Sequence, residues 1–180
     1  VDVMKIHEGF TTLFLPKTAG GAGNISPSPN TINGRVTPLR FRAHIGMLGS
    51  MSIGINLLTS PAEELAELQE WLSRFKLLRP DLQNAWVYQL ASAYDEPYAI
   101  FQYVNRQRTA ATVFAFGHGM NFRQKLPLIR LRGLLADAIY SCDDGQKMSG
   151  AGLMNRGIQI SLQGDYASCV LTWRLEGRRT

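Results

Sequence analysis

The hydrophobic pattern of this chain changes period near residue 80, and that change decides what the chain can fold into. Upstream, helix and strand patterns alternate. From about Asp81 onward the apolar residues recur every second position, as in half-buried strands. Two architectures therefore share one chain. The spacing predicts an α/β region over residues 1–80 and an all-β region over residues 81–180, with the boundary near Arg79–Gln83.

In the first region, Val3–Phe14 reads as the end of a helix. Leu13–Ser26 reads as a strand running into a Gly-rich passage, and residues 27–33 as a loop. Thr37–Leu48 reads as a helix with Pro38 placed early, where its missing N–H costs nothing. Ser52–Leu58 reads as a short, almost wholly apolar strand, buried on both faces of a parallel sheet. The best helix follows, with Ser60 as N-cap, Pro61 at N1 and Glu63 closing a capping box. Leu65, Leu68, Leu72 and Phe75 recur at helical spacing, and Arg79-Pro80 is expected to stop it. Two parallel strands cannot stand alone, so this region is expected to be the tail of a larger barrel or sheet.

The second region predicts strands at Trp86–Leu90, Tyr98–Asn105, Thr109–Phe116, Leu128–Arg132, Ala138–Ser141, Gln159–Gln163 and Ala167–Arg174. Short strands separated by turn signals predict an antiparallel β-sandwich. Within Ser149–Tyr166, Ile158, Ile160 and Leu162 alternate with Gln159, Ser161 and Gln163. Gly164-Asp165 is then expected to turn this segment back as a hairpin with Ala167–Arg174.

Composition excludes several functions. Of 180 residues, 45% are hydrophobic and 18% charged, so the chain is globular rather than disordered. No apolar run approaches the roughly 18–20 residues of a membrane span, and no signal peptide is expected. The net charge is +5, but the basic residues are scattered, so neither nucleic acid nor a membrane is expected as a partner. Cys142 and Cys169 do not make a disulfide framework, and Cys169 reads as a core residue.

In β/α folds the chemistry sits at the carboxyl ends of the strands. Here those ends are the Gly20–Asn33 loop and the Asn56–Ser60 turn. Gly20, Gly21 and Gly23 allow close backbone approach, and Asn24 and Ser26 can donate and accept hydrogen bonds. The P-loop pattern is absent. So is a carboxylate pair, because Asp2 and Glu8 are the only acids among the first 60 residues. His7, His44 and His118 lack metal-ligand spacing, and His44 is expected to be structural or on the surface. No metal and no cofactor are expected.

The order of motifs carries a resemblance. Phe14-Leu15-Pro16-Lys17-Thr18, the Gly-rich turn, Ile25-Ser26-Pro27-Ser28-Pro29-Asn30, Gly34 to His44, Ser52 to Leu57, the capped helix and Ser149–Tyr166 follow one another in this chain. The series resembles the C-terminal part of family 36 glycoside hydrolases, the α-galactosidases. The resemblance implies the last part of a (β/α)8 barrel, residues 1–80, followed by an antiparallel β-sandwich, residues 81–180. It places Leu13–Leu15 in the seventh barrel strand and Ser52–Leu58 in the eighth. It implies a retaining enzyme acting on terminal α-galactosyl groups of raffinose-type sugars through two aspartates about 5–5.5 Å apart. Both are expected upstream of Val1, so this chain alone is expected to be inactive. Gly23, Asn24 and Ser26 are the expected substrate-binding residues. The family usually has histidine where this chain has Asn24, and Asn cannot become cationic. A homo-oligomer and a cytoplasmic location are further expectations. Two alternatives accompany this reading. One is a carbohydrate-binding module using Trp86, Tyr88, Tyr98, Tyr103 and Trp173, with core packing as the competing role. The other is a galactosyl-transferring enzyme of the raffinose-synthase type.

Overall fold

A computed structural model describes residues 2–18, 23–121 and 124–178; Gly20 and Gly21 lie outside these. The chain divides into two compact units, Val1–Gln83 and Asn84–Thr180.

The first unit holds α1 (Asp2–Thr11), β1 (Asn24–Ile25), α2 (Leu39–Met47), β2 (Ser52–Ile53) and α3 (Ala62–Leu82). β1 and β2 pair in parallel, Asn24 opposite Ser52 and Ile25 opposite Ile53. A parallel pair needs a crossover, and α2 supplies it. Ile25, Leu39, Ala43 and Leu68 form one core cluster, with Met51, Ile55, Trp71 and Leu72 packed against them.

Pro38 stands just before α2 at φ −57°. Its carbonyl accepts the first helical bond, from the Arg42 N–H at 3.2 Å. Nearly all of α2 is buried, Arg42 and His44 included. Two buried polar side chains in one short helix must find partners.

Several expected features are corrected here. Leu13–Leu15 is not a strand: the Leu13 and Phe14 N–H groups both donate to the Phe10 carbonyl, prolonging the turn of α1. The strand is Asn24–Ile25 instead. The apolar run 52–58 is not a buried strand, because only Ser52–Ile53 pairs and Ile53, Leu57 and Leu58 are exposed. Ser60 does not cap α3 either. Pro61 is the N-cap, and no side chain bonds the first turn. The Ser60 hydroxyl donates instead to the Asn56 carbonyl at 3.0 Å, within the 56–60 turn. Nor does Arg79-Pro80 stop the helix, which runs on to Leu82. Proline this close to a helix end removes a single bond, and the Gln83 N–H closes the last turn on the Arg79 carbonyl at 3.0 Å.

The second unit is built on one antiparallel sheet of six strands. These are β3 (Trp86–Ala91), β4 (Tyr98–Val104), β5 (Ala110–Gly117), β6 (Ala138–Cys142), β7 (Lys147–Ser149) and β8 (Ser168–Arg178). Their order is β3-β4-β5-β8-β6-β7. Strands β4 and β5 are buried throughout. One face packs Ile100, Val113, Tyr140 and Trp173 against Leu126, Ile129, Leu131, Leu153, Ile158 and Leu162. The second layer of the sandwich thus comes from residues 124–134, 157–163 and the short helix α4 (Gly150–Asn155).

That layer corrects the hairpin reading. Neither Leu128–Arg132 nor Gln159–Gln163 is a strand, and one isolated bridge links Ile129 to Ile158, the residue just before the second segment. β8 pairs with β5 and β6, not with residues 159–163. Gly164, at φ +79°, is a turn residue as expected, but the turn delivers the chain to the end of β5. There the Tyr166 N–H donates to the Gly117 carbonyl at 3.0 Å, and Gly117 donates back to Ala167 at 2.8 Å. Ser149 opens α4 as its N-cap, accepting from the Gly152 N–H at 3.1 Å. A Cβ on Gly150 would overlap the Leu135 carbonyl oxygen, so only glycine lets the helix start there.

Candidate functional site

The paired strands β1 and β2 and the residues flanking them bring together Gly23, Asn24, Ser26, Ser52 and Gly54. Ile25 points into the core while Asn24 stays exposed and Ser26 is half-buried, as the alternation of an extended chain requires. The Ser52 hydroxyl donates to Asn24 Oδ1 at 3.3 Å. A Cβ on Gly54 would come within 2.7 Å of both the Asn24 Oδ1 and Nδ2 atoms. Gly54, which the sequence reading did not single out, therefore clears the space in which the Asn24 amide lies.

Gly23 has a structural reason of its own. A Cβ there would sit 2.8 Å from the Met51 N and 3.0 Å from the Ser50 N. Its carbonyl accepts the Ser52 N–H at 2.8 Å, and the Gly54 N–H donates to Ile25 at 3.0 Å. The backbones of residues 23–25 and 50–54 pack too closely for any side chain between them.

Arg42 holds the site from beneath, and the sequence reading missed it. It is 7% exposed. Its guanidinium donates to the Ser26 carbonyl at 2.7 Å, to the Thr37 carbonyl at 3.2 Å and to the Glu64 carboxylate at 2.9 Å. One side chain thus ties both ends of the 26–37 loop to α2 and α3. Between those ends the loop folds on itself around Asn30, whose side chain accepts from the Ile32 and Asn33 N–H groups. The available signal was an arginine, with His44, in the otherwise apolar Phe41–Met47 run of a helix.

His44 is buried and structural. Its ring meets Trp71 edge-on at 4.7 Å and 83°. Burial first, then the Arg40 and Arg74 charges, push its pKa from 6.5 to about 3, so it is neutral. Burial likewise lowers His7 to about 4. Glu64 is the acid at this site, and it is committed to Arg42. Among the described residues no group of three or more His, Cys, Asp or Glu is arranged to hold a metal ion. No described helix is long and apolar enough to cross a membrane. The site can orient a polar ligand through an amide and hydroxyls. The described residues at it supply no pair of carboxylates for acid/base or nucleophilic chemistry.

The aromatic residues of the second unit divide clearly. Tyr98, Tyr103 and Trp173 are buried in the core, and Tyr88 packs against it half-buried. Of the five aromatic residues expected to stack on a sugar, Trp86 alone is substantially open, at 50%, and the Arg106 guanidinium covers its ring at 3.7 Å. Both cysteines are free.

The chain was compared with known families, sequences and structures. Residues 1–85 match the Melibiase family, and residues 98–172 match the Glycosyl hydrolase family 36 C-terminal domain. A probable α-galactosidase G of Aspergillus terreus is 34% identical over 163 residues, 89% of this chain and 22% of the relative. α-Galactosidase C of Emericella nidulans is 32% identical over 95% of this chain and 22% of its own length. The chain thus spans about a fifth of the length of the curated relatives it matches. The family 36 α-galactosidase AgaA of Geobacillus stearothermophilus, solved with raffinose, is similar with a TM-score of 0.88 at 25% identity, over 96% of this chain and 24% of that one. The galactosidase domain of the α-galactosidase–sucrose kinase AgaSK gives 0.90 at 23% identity, over 97% and 24%. The fold is accordingly the last part of a (β/α)8 barrel followed by an antiparallel β-sandwich. This chain belongs to glycosyl hydrolase family 36, of which it carries the C-terminal part.

Proposed function

We propose that the protein containing these residues is a retaining α-galactosidase that removes terminal α-galactosyl groups from raffinose-type oligosaccharides. The reading is supported by the α-galactosidase names of the relatives and by raffinose in a similar structure. The observation within this chain that carries it is the Asn24–Ser52 pair, held open to solvent at the strand ends by Gly54.

In this proposal the two aspartates of the double displacement come from a segment outside this chain. The chain supplies orientation. The Asn24 amide can accept from one sugar hydroxyl and donate to another, with Ser52 fixing the side of the amide that accepts. Ser26, half-buried beside it, offers a second polar contact, and Gly23 keeps β1 close against the strand turn. Such contacts accelerate a reaction where they strengthen in the transition state. A cytoplasmic homo-oligomer is part of the same proposal, and light scattering on the purified protein tests its assembly.

The test is hydrolysis of p-nitrophenyl α-galactoside and of raffinose by the intact protein, with the first-formed anomer followed by NMR. Release of α-galactose is expected. Asn24→Ala should lower kcat/KM by about tenfold to a hundredfold, as for loss of a hydrogen bond to a polar substrate group. Absence of turnover, or β-galactose as the first product, would refute the proposal.

A further inference from the structure

The second unit carries a cleft of about 680 Å³, within the roughly 300–1,000 Å³ of small-molecule sites. Asp95 and Glu96 line it from the β3–β4 turn, Arg130 and Arg132 from the second layer, and Leu90 and Tyr98 from the sheet.

Both pairs of charges are set on fixed backbone. Ile129 exchanges two hydrogen bonds with Ile158, each 2.9 Å, and the Leu131 N–H donates to Leu153 at 3.0 Å. Gln102, fully buried on β4, accepts from the Arg132 N–H at 2.8 Å and donates to its carbonyl at 2.9 Å. With Ile129 and Leu131 buried, Arg130 and Arg132 face outward together, about 7 Å apart along extended chain. Across the cleft's lining, the Ser92 carbonyl accepts from both the Asp95 and Glu96 N–H groups, and Ser92 Oγ accepts from Tyr94.

The four charges do not neutralise one another by contact. Neither Arg42–Glu64 nor Lys147–Glu176 involves them, and the Glu96 carboxylate accepts a hydrogen bond from the Tyr98 hydroxyl rather than pairing with a guanidinium. The cleft is therefore lined by donors and acceptors, balanced in charge, together with apolar side chains such as Leu90 and Met154. A phosphate or other anion would meet two carboxylates. A bare cation would meet two guanidinium groups. A neutral polyhydroxylated ligand satisfies both sets, because each hydroxyl accepts from a guanidinium and donates to a carboxylate, while the C–H face of a sugar ring lies on Leu90.

We propose that this cleft binds a neutral saccharide. The choice of a saccharide over another neutral polyol rests on the galactosidase reading. The test is calorimetric titration of the intact protein with raffinose while 1-deoxygalactonojirimycin saturates the galactosyl site. Raffinose binding is expected to persist. It should weaken about tenfold in Arg130→Gln/Arg132→Gln and again in Asp95→Asn/Glu96→Gln. Turnover of p-nitrophenyl α-galactoside, measured separately, should stay at the wild-type level in both variants. Its absence in the wild type would sink the galactosidase reading, while the titration still decides the cleft. No raffinose binding under the blocking inhibitor would overturn the proposal. So would binding unchanged in both variants, or a cleft that takes inorganic phosphate instead.

Discussion

Replacing Arg42 by Met should loosen the 26–37 loop more than any other part of the protein. The substitution keeps the bulk of the aliphatic stem and removes three hydrogen bonds: to Ser26 at 2.7 Å, to Thr37 at 3.2 Å and to Glu64 at 2.9 Å. Glu64, only 26% exposed, is left with its charge and no guanidinium. Breaking a buried pair by removing one member costs about 3–5 kcal/mol. That range already includes the stranded partner, so the separate bonds are not added to it. If the loss falls on local opening of the loop, about 3 kcal/mol corresponds to roughly a hundredfold faster amide exchange. Hydrogen-exchange mass spectrometry on the intact protein would read peptides covering residues 26–37 against those covering β4 and β5. The loop peptides should accelerate and the sheet peptides should not. Adding Glu64→Leu should recover part of the loss, because the stranded charge disappears. If R42M leaves the exchange of residues 26–37 unchanged, Arg42 is not the anchor. If E64L deepens the loss in full, the carboxylate penalty has been misjudged.

Four further outcomes are expected. Gly23→Ala places a Cβ 2.8 Å from the Met51 N, an atom of backbone that cannot rotate away; a loss of about 1–3 kcal/mol should appear as a lowered urea midpoint. Gly54→Ala meets the Asn24 side chain first, which can turn aside, so stability should change little while KM for an α-galactoside rises. His44 and His7, with pKa values lowered from 6.5 to about 3 and about 4, are neutral when folded. The unfolded chain binds the extra protons below pH 6.5, so stability should fall as pH drops from 6.5 toward 3. His44→Phe should flatten that slope by up to one proton in a series of unfolding midpoints. The Cys142 thiol, pushed up to about 12 chiefly by burial, should resist iodoacetamide at pH 8 in the folded protein and react in urea, as mass spectrometry of the labelled peptide would show.

Period two in a sequence reports that side chains alternate between two environments, and nothing more. For β4, β5 and β8 that was enough, because the central strands of a buried sheet have partners on both sides. Residues 157–163 show the same alternation for a different reason. Ile158, Ile160 and Leu162 are buried and Gln159, Ser161 and Gln163 exposed, yet only one residue of the segment joins a bridge. The hairpin read from that alternation assumed a ladder that the hydrophobic pattern cannot encode. The run 52–58 failed in the opposite sense. Its apolar residues suited a buried strand, but Leu57 and Leu58 lie exposed on this unit, and two residues of pairing with β1 were all the local backbone made.

The candidate site was legible only where its hydrogen-bonding groups are local. Asn24 and Ser26 could be read from a Gly-rich passage next to an apolar stretch, because hydrogen-bonding side chains at a strand end need no partner to be noticed. Arg42 and Gly54 could not, since each acquires its meaning from a residue far along the chain. Arg42 needs Glu64, twenty-two positions on, and Gly54 needs the Asn24 amide that lies where its side chain would be. Asn24 is therefore positioned by an absence in β2's extension and steadied by a hydroxyl from β2, while the loop after it is held by a buried cation in α2. A substitution that spares Asn24 itself can still move it. The direction of that coupling separates the two supports: losing Gly54 should displace the amide alone, whereas losing Arg42 should release the whole 26–37 loop and leave the Asn24–Ser52 contact in place.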